Sequence, residues 1–224
     1  MHERSSKVLE DREMERMLVT KGLNELKLLD SRIHHKIEEG EFVGAAKVSV
    51  PNINGKITKE AFKTNAKADY QSIVDLIKRR NAIKAAIIQS NAITVVEVAG
   101  KRMTVAEAID KKSAIEYEKT LLEKLNDEYI VAAERVAREN ARVDDSIEQL
   151  LNTAYGKEGK EKITQASHDA IAQPYRQANE YGLVDALEVQ KLIKTMKDEI
   201  ENFESEVDTV LQISNSVTMI EINV

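Results

Sequence analysis

The chain has 224 residues, with 33 Lys and Arg against 39 Asp and Glu, for a net charge of −6. It is 32% charged, 42% hydrophobic and 4% aromatic, with 8 Gly, 2 Pro, no Trp and no Cys. That balance predicts long solvated helices on a modest core. It excludes collagen-like, mucin-like and generally disordered chains. Without Cys there are no disulfides, thiol nucleophiles, Fe–S clusters or Cys-type zinc sites. The longest apolar run, Tyr129 to Ala133, is five residues, too short to span a bilayer. The opening MHERSSKVLEDREMER has no apolar signal region, so neither a membrane nor a secretion route is expected.

The first predicted element is a helix over Ser6 to Glu39, with an apolar stripe at Val19, Leu23, Leu26, Leu29, Ile33 and Ile37. Gly40 is a left-handed stop signal. Residues 40–57 form a long Gly-containing connection with a short strand expected around Lys47 to Val50. A second helix should start at Thr58, whose hydroxyl can cap it, with Phe62, Ala66, Tyr70, Ile73, Ile77 and Ile87 as its buried side. It should fray near Ser90-Asn91. The β-branched stretch that follows, with a turn at Ala99-Gly100, predicts a hairpin of Ile93–Val98 and Lys101–Met103.

Thr104-Val105-Ala106-Glu107 reads as a capping box, opening a helix free of Gly and Pro until Gly156. Ile115, Leu122, Tyr129, Val136, Val143 and Leu150 recur every seven residues along it, a coiled-coil seam that needs a partner helix. At 1.5 Å per residue the helix is about 70 Å long. It must therefore project or lie along another helix, in this chain or in another copy. Residues 155–162 are a flexible break, and a short helix over Ile163 to Ala172 should end before Pro174. A last helix should run from an Asp185 cap to Ser214, buried through Leu187, Leu192, Met196, Ile200, Phe203, Val207 and Leu211, with a closing strand in VTMIEINV.

Ile87–Val98 (IIQSNAITVVEV) and Leu211–Ile222 (LQISNSVTMIEI) share Ser-Asn-x-(Ile/Val)-Thr-x-(Val/Ile)-Glu-(Val/Ile), 124 residues apart. Either helix-to-strand chemistry has converged twice, or two related arms pack as a pseudo-symmetric pair. On the second account the strands share one small sheet, with Ile93, Val95 and Glu97 on one of its faces. Lys78-Arg79-Arg80 would then face the acidic last helix. Alternatively it is a solvated face. An acidic chain without interleaved aromatics gives no reason to expect nucleic acid there.

No catalytic constellation in the sequence commits the chain to an enzyme. His34-His35 with Glu38-Glu39 can place metal-ligand types on one helix face but lacks the HExxH order. Polarity at a helix end is the better account of it, ahead of a site shared between subunits. His168-Asp169 has no nucleophile motif beside it, and Gly156 with Gly159-Lys160 lacks the strand and hydroxyl of a phosphate loop.

The stretch SNAITVVEVAGKRMTVAEAIDKK and the closing LQISNSVTMIEI resemble a small family of bacterial and phage proteins that carry the name septicolysin. The shared pattern is Asn before a short strand, a Gly turn, Thr before an Ala-Glu-Ala-rich helix, and a closing Asn–Thr strand. It covers about residues 59–224. The resemblance implies a helical-hairpin fold that forms oligomers, and it transfers no catalytic residue.

The expected fold is mainly α: long antiparallel helical hairpins or coiled coil with a small β-sheet. Residues 1–57 are expected to form a helix and loop that either packs in cis or serves as an assembly arm. Residues 58–224 form a hairpin domain with its sheet at 93–104 and 217–222. The expected function is non-enzymatic: a virion component of a tailed phage (tail, neck or collar), without cofactor or metal. Its partners would be copies of itself in a symmetric homo-oligomer and other virion proteins. The expected contact residues are Leu122, Tyr129, Val136, Val143, Leu150 and, anchoring the arm, Phe42. A cytoplasmic adaptor binding through residues 40–57 is the second expectation, and a metal-dependent hydrolase using His34 and His35 the third.

Overall fold

A computed structural model describes residues 14–53, 55–156 and 164–223. In chain order the elements are β1 (Met14–Leu18), α1 (Val19–Glu39), β2 (Asn52–Ile53), β3 (Ile57–Thr58), α2 (Lys59–Ile93), β4 (Val95–Val98), β5 (Lys101–Thr104), α3 (Val105–Tyr155), α4 (Gln165–Asn179), α5 (Val189–Val217) and β6 (Met219–Asn223). The fold is mainly α, with small two-stranded antiparallel sheets. It divides into two compact units, Met1–Lys112 with Ser205–Val224, and Ser113–Glu204.

In the first unit α1 buries one stripe, Val19, Gly22, Leu26, Leu29 and Ile33. This is close to the predicted side, although Ile37 is exposed. The stripe meets Ile83 and Ile87 of α2 together with Met17, Ile220 and Ile222. Each such side chain contributes about 1.5–3 kcal/mol on burial, so this cluster dominates the unit's stability. Gly22 sits where α1 is most crowded. A Cβ there would lie 3.2 Å from Ile220 Cδ1 and 3.3 Å from both Ile83 Cγ2 and Ile87 Cδ1.

Several expectations are corrected here. The first helix starts at Val19, not Ser6, because Met14–Leu18 is drawn into a strand by β6; residues 6–13 lie outside the described residues. Gly40 is extended, with φ −71° and ψ 131°, so the helix stops without a left-handed residue. Lys47–Val50 is a turn closed by Val50 N–H on the Lys47 carbonyl at 3.1 Å, and the strands follow it, β2 against β3. On α2, Tyr70 and Ile77 face solvent, while Ile83 is fully buried and Leu76 packs on the core. At about 100° per residue Leu76, Ile83 and Ile87 lie to one side of Ile73 around the helix, towards the core, and Tyr70 and Ile77 lie to the other. Met17 and the stripe of α1 pack within the chain as much of this core, so this stretch is not a separable arm.

The caps follow the expected chemistry. Thr58 Oγ1 accepts Ala61 N–H at 3.1 Å. Thr104 N–H donates to Glu107 Oε2 at 2.6 Å while Glu107 N–H donates to Thr104 Oγ1 at 3.1 Å, a reciprocal capping box.

The repeated strands do not share a sheet. β4 pairs with β5, and β6 pairs with β1. Each pairing nevertheless copies the other. Leu18 opposes Met219, Met17 opposes Ile220 and Arg16 opposes Glu221; Thr104 opposes Val95, Met103 opposes Val96 and Arg102 opposes Glu97. Val19 N–H donates to the Thr218 carbonyl and Val105 N–H to the Thr94 carbonyl, both at 2.9 Å. Thr218 N–H returns to Ser214 and Thr94 N–H to Ser90. A second sequence match now becomes visible, Arg16-Met17-Leu18-Val19 with Arg102-Met103-Thr104-Val105. The unit therefore holds two copies of a strand–helix and helix–strand design. The closing strand of each copy pairs with the opening strand of the other.

The second unit contains α4 and the adjoining parts of α3 and α5. Val143, Ile147 and Leu151 of α3 bury against Ala172, with Ile171 and Tyr175 packed alongside. The predicted seam reaches Val143 but not Leu150, which is exposed. A straight helix drifts about 20° per seven residues, about 100° over the five steps from Ile115 to Leu150. Leu151, ten whole turns after Ile115 at 3.6 residues per turn, is back in phase and buried. α4 runs through Pro174 to Asn179 rather than stopping at Ala172. Pro174 lies on its exposed side, and Ala172, Tyr175 and an Arg176–Asp144 ion pair secure both of its flanks to α3. Asn140 holds Tyr181 like a strand partner, donating to its carbonyl at 2.9 Å and accepting its N–H at 2.8 Å. Asp185 caps α5 through Val189 N–H, so Leu187 lies before the helix and is exposed.

The β4–β5 turn places Ala99 at φ 49° and Gly100 at φ 71°. Both are left-handed, as a two-residue type I′ hairpin requires, and only Gly adopts this without cost. Replacing Ala99 with Asn should therefore stabilise the chain by about 1 kcal/mol. In thermal melts this is a rise of roughly 2–4 °C. Unchanged melting would show that the turn carries no strain.

Candidate assembly interface

The two most exposed large apolar side chains on regular structure in the first unit, Ile93 and Val217, sit where α2 and α5 end, with Val95 and Met219 at the start of β4 and β6. Ile93 is 73% exposed, Val95 52%, Val217 69% and Met219 53%. They form two equivalent pairs, since Ile93 and Val217 occupy matching positions, as do Val95 and Met219. Leu18, opposite Met219, extends the group. Ile93, Thr94, Thr218 and Met219 line one shallow cavity of about 360 Å³ with Ala86 and Ser90 of α2, so the two ends adjoin. Alternation explains the exposure. Val98 and Ile220 turn into the core, which sends Val95 and Met219 outward.

Residues 40–57 form a second projecting feature. Phe42 folds back on the end of α1: a Cβ on Gly40 would lie 2.4 Å from its ring. Gly44 lets the loop approach Phe62 and Ile53. Lys59 Nζ donates to the Lys47 and Val48 carbonyls at 2.8 and 3.1 Å, pinning the turn. Val43 and Val48 are left almost fully in water.

The predicted seam residues are distributed differently. Val143 is occupied by α4 within the chain. Tyr129, with Leu125 and Ala132, lines a cavity of about 180 Å³ closed by Leu183, Val184, Asp185 and Val189 of its own unit. Leu122 and Val136 are half-buried and Leu150 is exposed. Around them Tyr117, Leu121 and Val131 face solvent on α3. The seven-residue spacing found part of the helix's buried side, and the chain itself covers Val143 and flanks Tyr129. The signal for Ile93 and Val217 was the repeat itself, which the outward positions of both copies share.

The charged groups bind elements together. Lys78 pairs with Asp75 on its own helix, and Arg80 Nε donates to Asp30 at 2.5 Å. Arg79 reaches Glu25 and, at 2.9 Å, Glu15. Arg79 and Arg80 therefore serve α1 and β1, not the last helix. The acidic residues of α5 pair elsewhere: within the first unit Asp208 with Lys112 and Glu206 with Ala99 N–H at 2.7 Å, within the second Glu204 with Lys119 at 2.6 Å. His34 Nδ1 lies 2.7 Å from its own helix's Asp30 carbonyl, and His35 3.3 Å from Glu39. Among the described residues no three His, Asp or Glu side chains converge as a metal site, and no helix is long and apolar enough to cross a membrane.

No protein-family model, curated protein or solved structure matches the chain.

The Arg79 hydrogen bond, ahead of the Arg79 and Lys21 charges, holds the Glu15 carboxyl below the usual glutamate range. Its contribution is present at neutral pH and is lost as pH falls through the lowered value, when the folded state takes up the proton. Glu15→Gln removes that linkage. The difference in urea midpoint between pH 7 and pH 3 should be smaller for Glu15→Gln than for the unaltered chain. Equal differences would show that the pair is inert.

Proposed function

We propose that the chain is a non-enzymatic structural protein that works as a symmetric homo-oligomer, as a virion component of a tailed phage. The observation that carries the reading is the set of large apolar side chains left in water at regular helix and strand positions, Ile93 and Val217 above all. Monomers seldom leave contiguous patches of this kind uncovered, because burying them against a partner is favourable. The resemblance to septicolysin-type bacterial and phage proteins supports the virion setting.

The test has two parts. Native mass at micromolar concentration should give an assembly of defined copy number, and a monomer at that concentration counts against the proposal. Peptide identification in particles purified from a phage-releasing host should recover the chain in fixed ratio to the tail proteins. Recovery only from the host cytoplasm would move it to the adaptor reading.

That second reading has its own observation: Val43 and Val48 stand in water on a turn that Lys59 holds in place. Ordered apolar loop tips are suited to docking on another protein. Replacing both with Ser should leave native mass unchanged if self-assembly is the role, because this loop lies outside the helix and strand positions that carry that reading.

A further inference from the structure

We infer that a second copy of this chain docks on the outward face formed by Leu18, Ile93, Val95, Val217 and Met219, in an isologous, two-fold contact. The inference rests on the assembly reading above and names its surface.

Three observations select the occupant. The first is the internal symmetry. Ile93 with Val217, and Val95 with Met219, are equivalent positions of two copies whose strands exchange reciprocally. A two-fold contact uses the same patch on both partners, so residue i must suit j and j must suit i. A patch made of two equivalent halves meets that condition over its whole width.

The second is charge. Along the same outer face Arg16 opposes Glu221 and Arg102 opposes Glu97, two cations and two anions, with Arg16 and Glu221 2.6 Å apart. The whole chain carries −6, so two copies repel in general. The outward side of each sheet is locally balanced, so it opposes a second copy less than the chain as a whole does. A basic or acidic partner would meet a balanced surface with nothing to steer it.

The third is area. The five apolar side chains expose on the order of 500 Å², at the upper end for a single patch on a monomer and over half of the ~800 Å² each partner gives to a standard interface. The four flanking charged residues widen the contact. The backbone groups of Thr94 and Thr218 are taken up by the adjoining helices, at Ser90 and Val105 and at Ser214 and Val19, so docking leaves them satisfied.

The experiment is sedimentation equilibrium and native mass on the full chain, its Ile93→Asp/Val217→Asp double variant, and a Val131→Asp control in the other unit. Circular dichroism checks each fold, and both altered positions are largely in water. The intact chain should be an even-numbered assembly. The double variant should weaken association by roughly 100-fold or more, as for charges placed at a central apolar contact, and Val131→Asp should leave it unchanged. Arg16→Glu paired with Glu221→Arg preserves the balance and should retain association, whereas Arg16→Glu alone should weaken it. A trimer would overturn the two-fold contact. So would an assembly indifferent to Ile93→Asp/Val217→Asp but broken by Val131→Asp, which leaves the assembly reading standing. A monomer at 100 µM (about the weakest self-association this method needs to detect) would overturn both.

Discussion

The first unit depends on a reciprocal exchange of strands. A two-stranded antiparallel pair is marginal alone; here β1 and β6 close the core of α1 and α2, while the β4–β5 hairpin buries Val98 ahead of the buried Val105. β4 completes β5 ahead of α3, and β6 completes β1 ahead of α1. In both places the hydrogen bond from the first helical residue, Val19 or Val105, to a Thr carbonyl locks strand to helix at 2.9 Å. The inward residues Met17, Val19, Ile220 and Ile222 then become core. Removing one strand would uncover its partner's inner face as well as its edge, so each sheet stands or falls as a pair.

The electrostatics reinforce that arrangement locally. Arg79 links β1 to α1 through Glu15 and Glu25, and Arg80 adds Asp30. Pairs this exposed contribute little to stability individually, about 0–1 kcal/mol. Their value lies in register, because a one-turn slip of α2 on α1 would separate all three carboxylates from their guanidinium groups. Lys112 with Asp208 does the same for the second copy.

Much of this was legible in the residues. The mainly α class, the hairpin at Ala99-Gly100, the Thr58 cap and the Thr104–Glu107 box all follow from local chemistry that acts within four residues. The repeat of Ile87–Val98 in Leu211–Ile222 was legible too. What stayed hidden was pairing at a distance. MERML is too charged to announce a strand, and only β6 makes it one. Met17 and Val19 alternate inward, but Glu15 and Arg16 read as helix surface. The seam on α3 failed at Leu150 for a different reason: a strict seven-residue count is not the pitch of a straight helix, and Leu151 takes the buried place. Pro174 was read as a terminator, but packing on both sides of it outweighs the lost hydrogen bond. For the interface, spacing pointed to a coiled-coil seam, whereas the structure leaves the outward positions of the repeat uncovered.

The Ala99-Gly100 turn has one more consequence. Without it the two copies of the strand–helix design would be separate molecules, and their exchange of strands would weaken on dilution. Two residues of tether convert that encounter into an intramolecular one, at an effective concentration in the millimolar range for a short linker. The pairing of β6 with β1, which no turn joins, benefits from the same tether at one remove. The fold of the first unit therefore holds at any protein concentration. Whatever self-association the chain shows reports a separate equilibrium, one that can dissolve and re-form without unfolding the subunit.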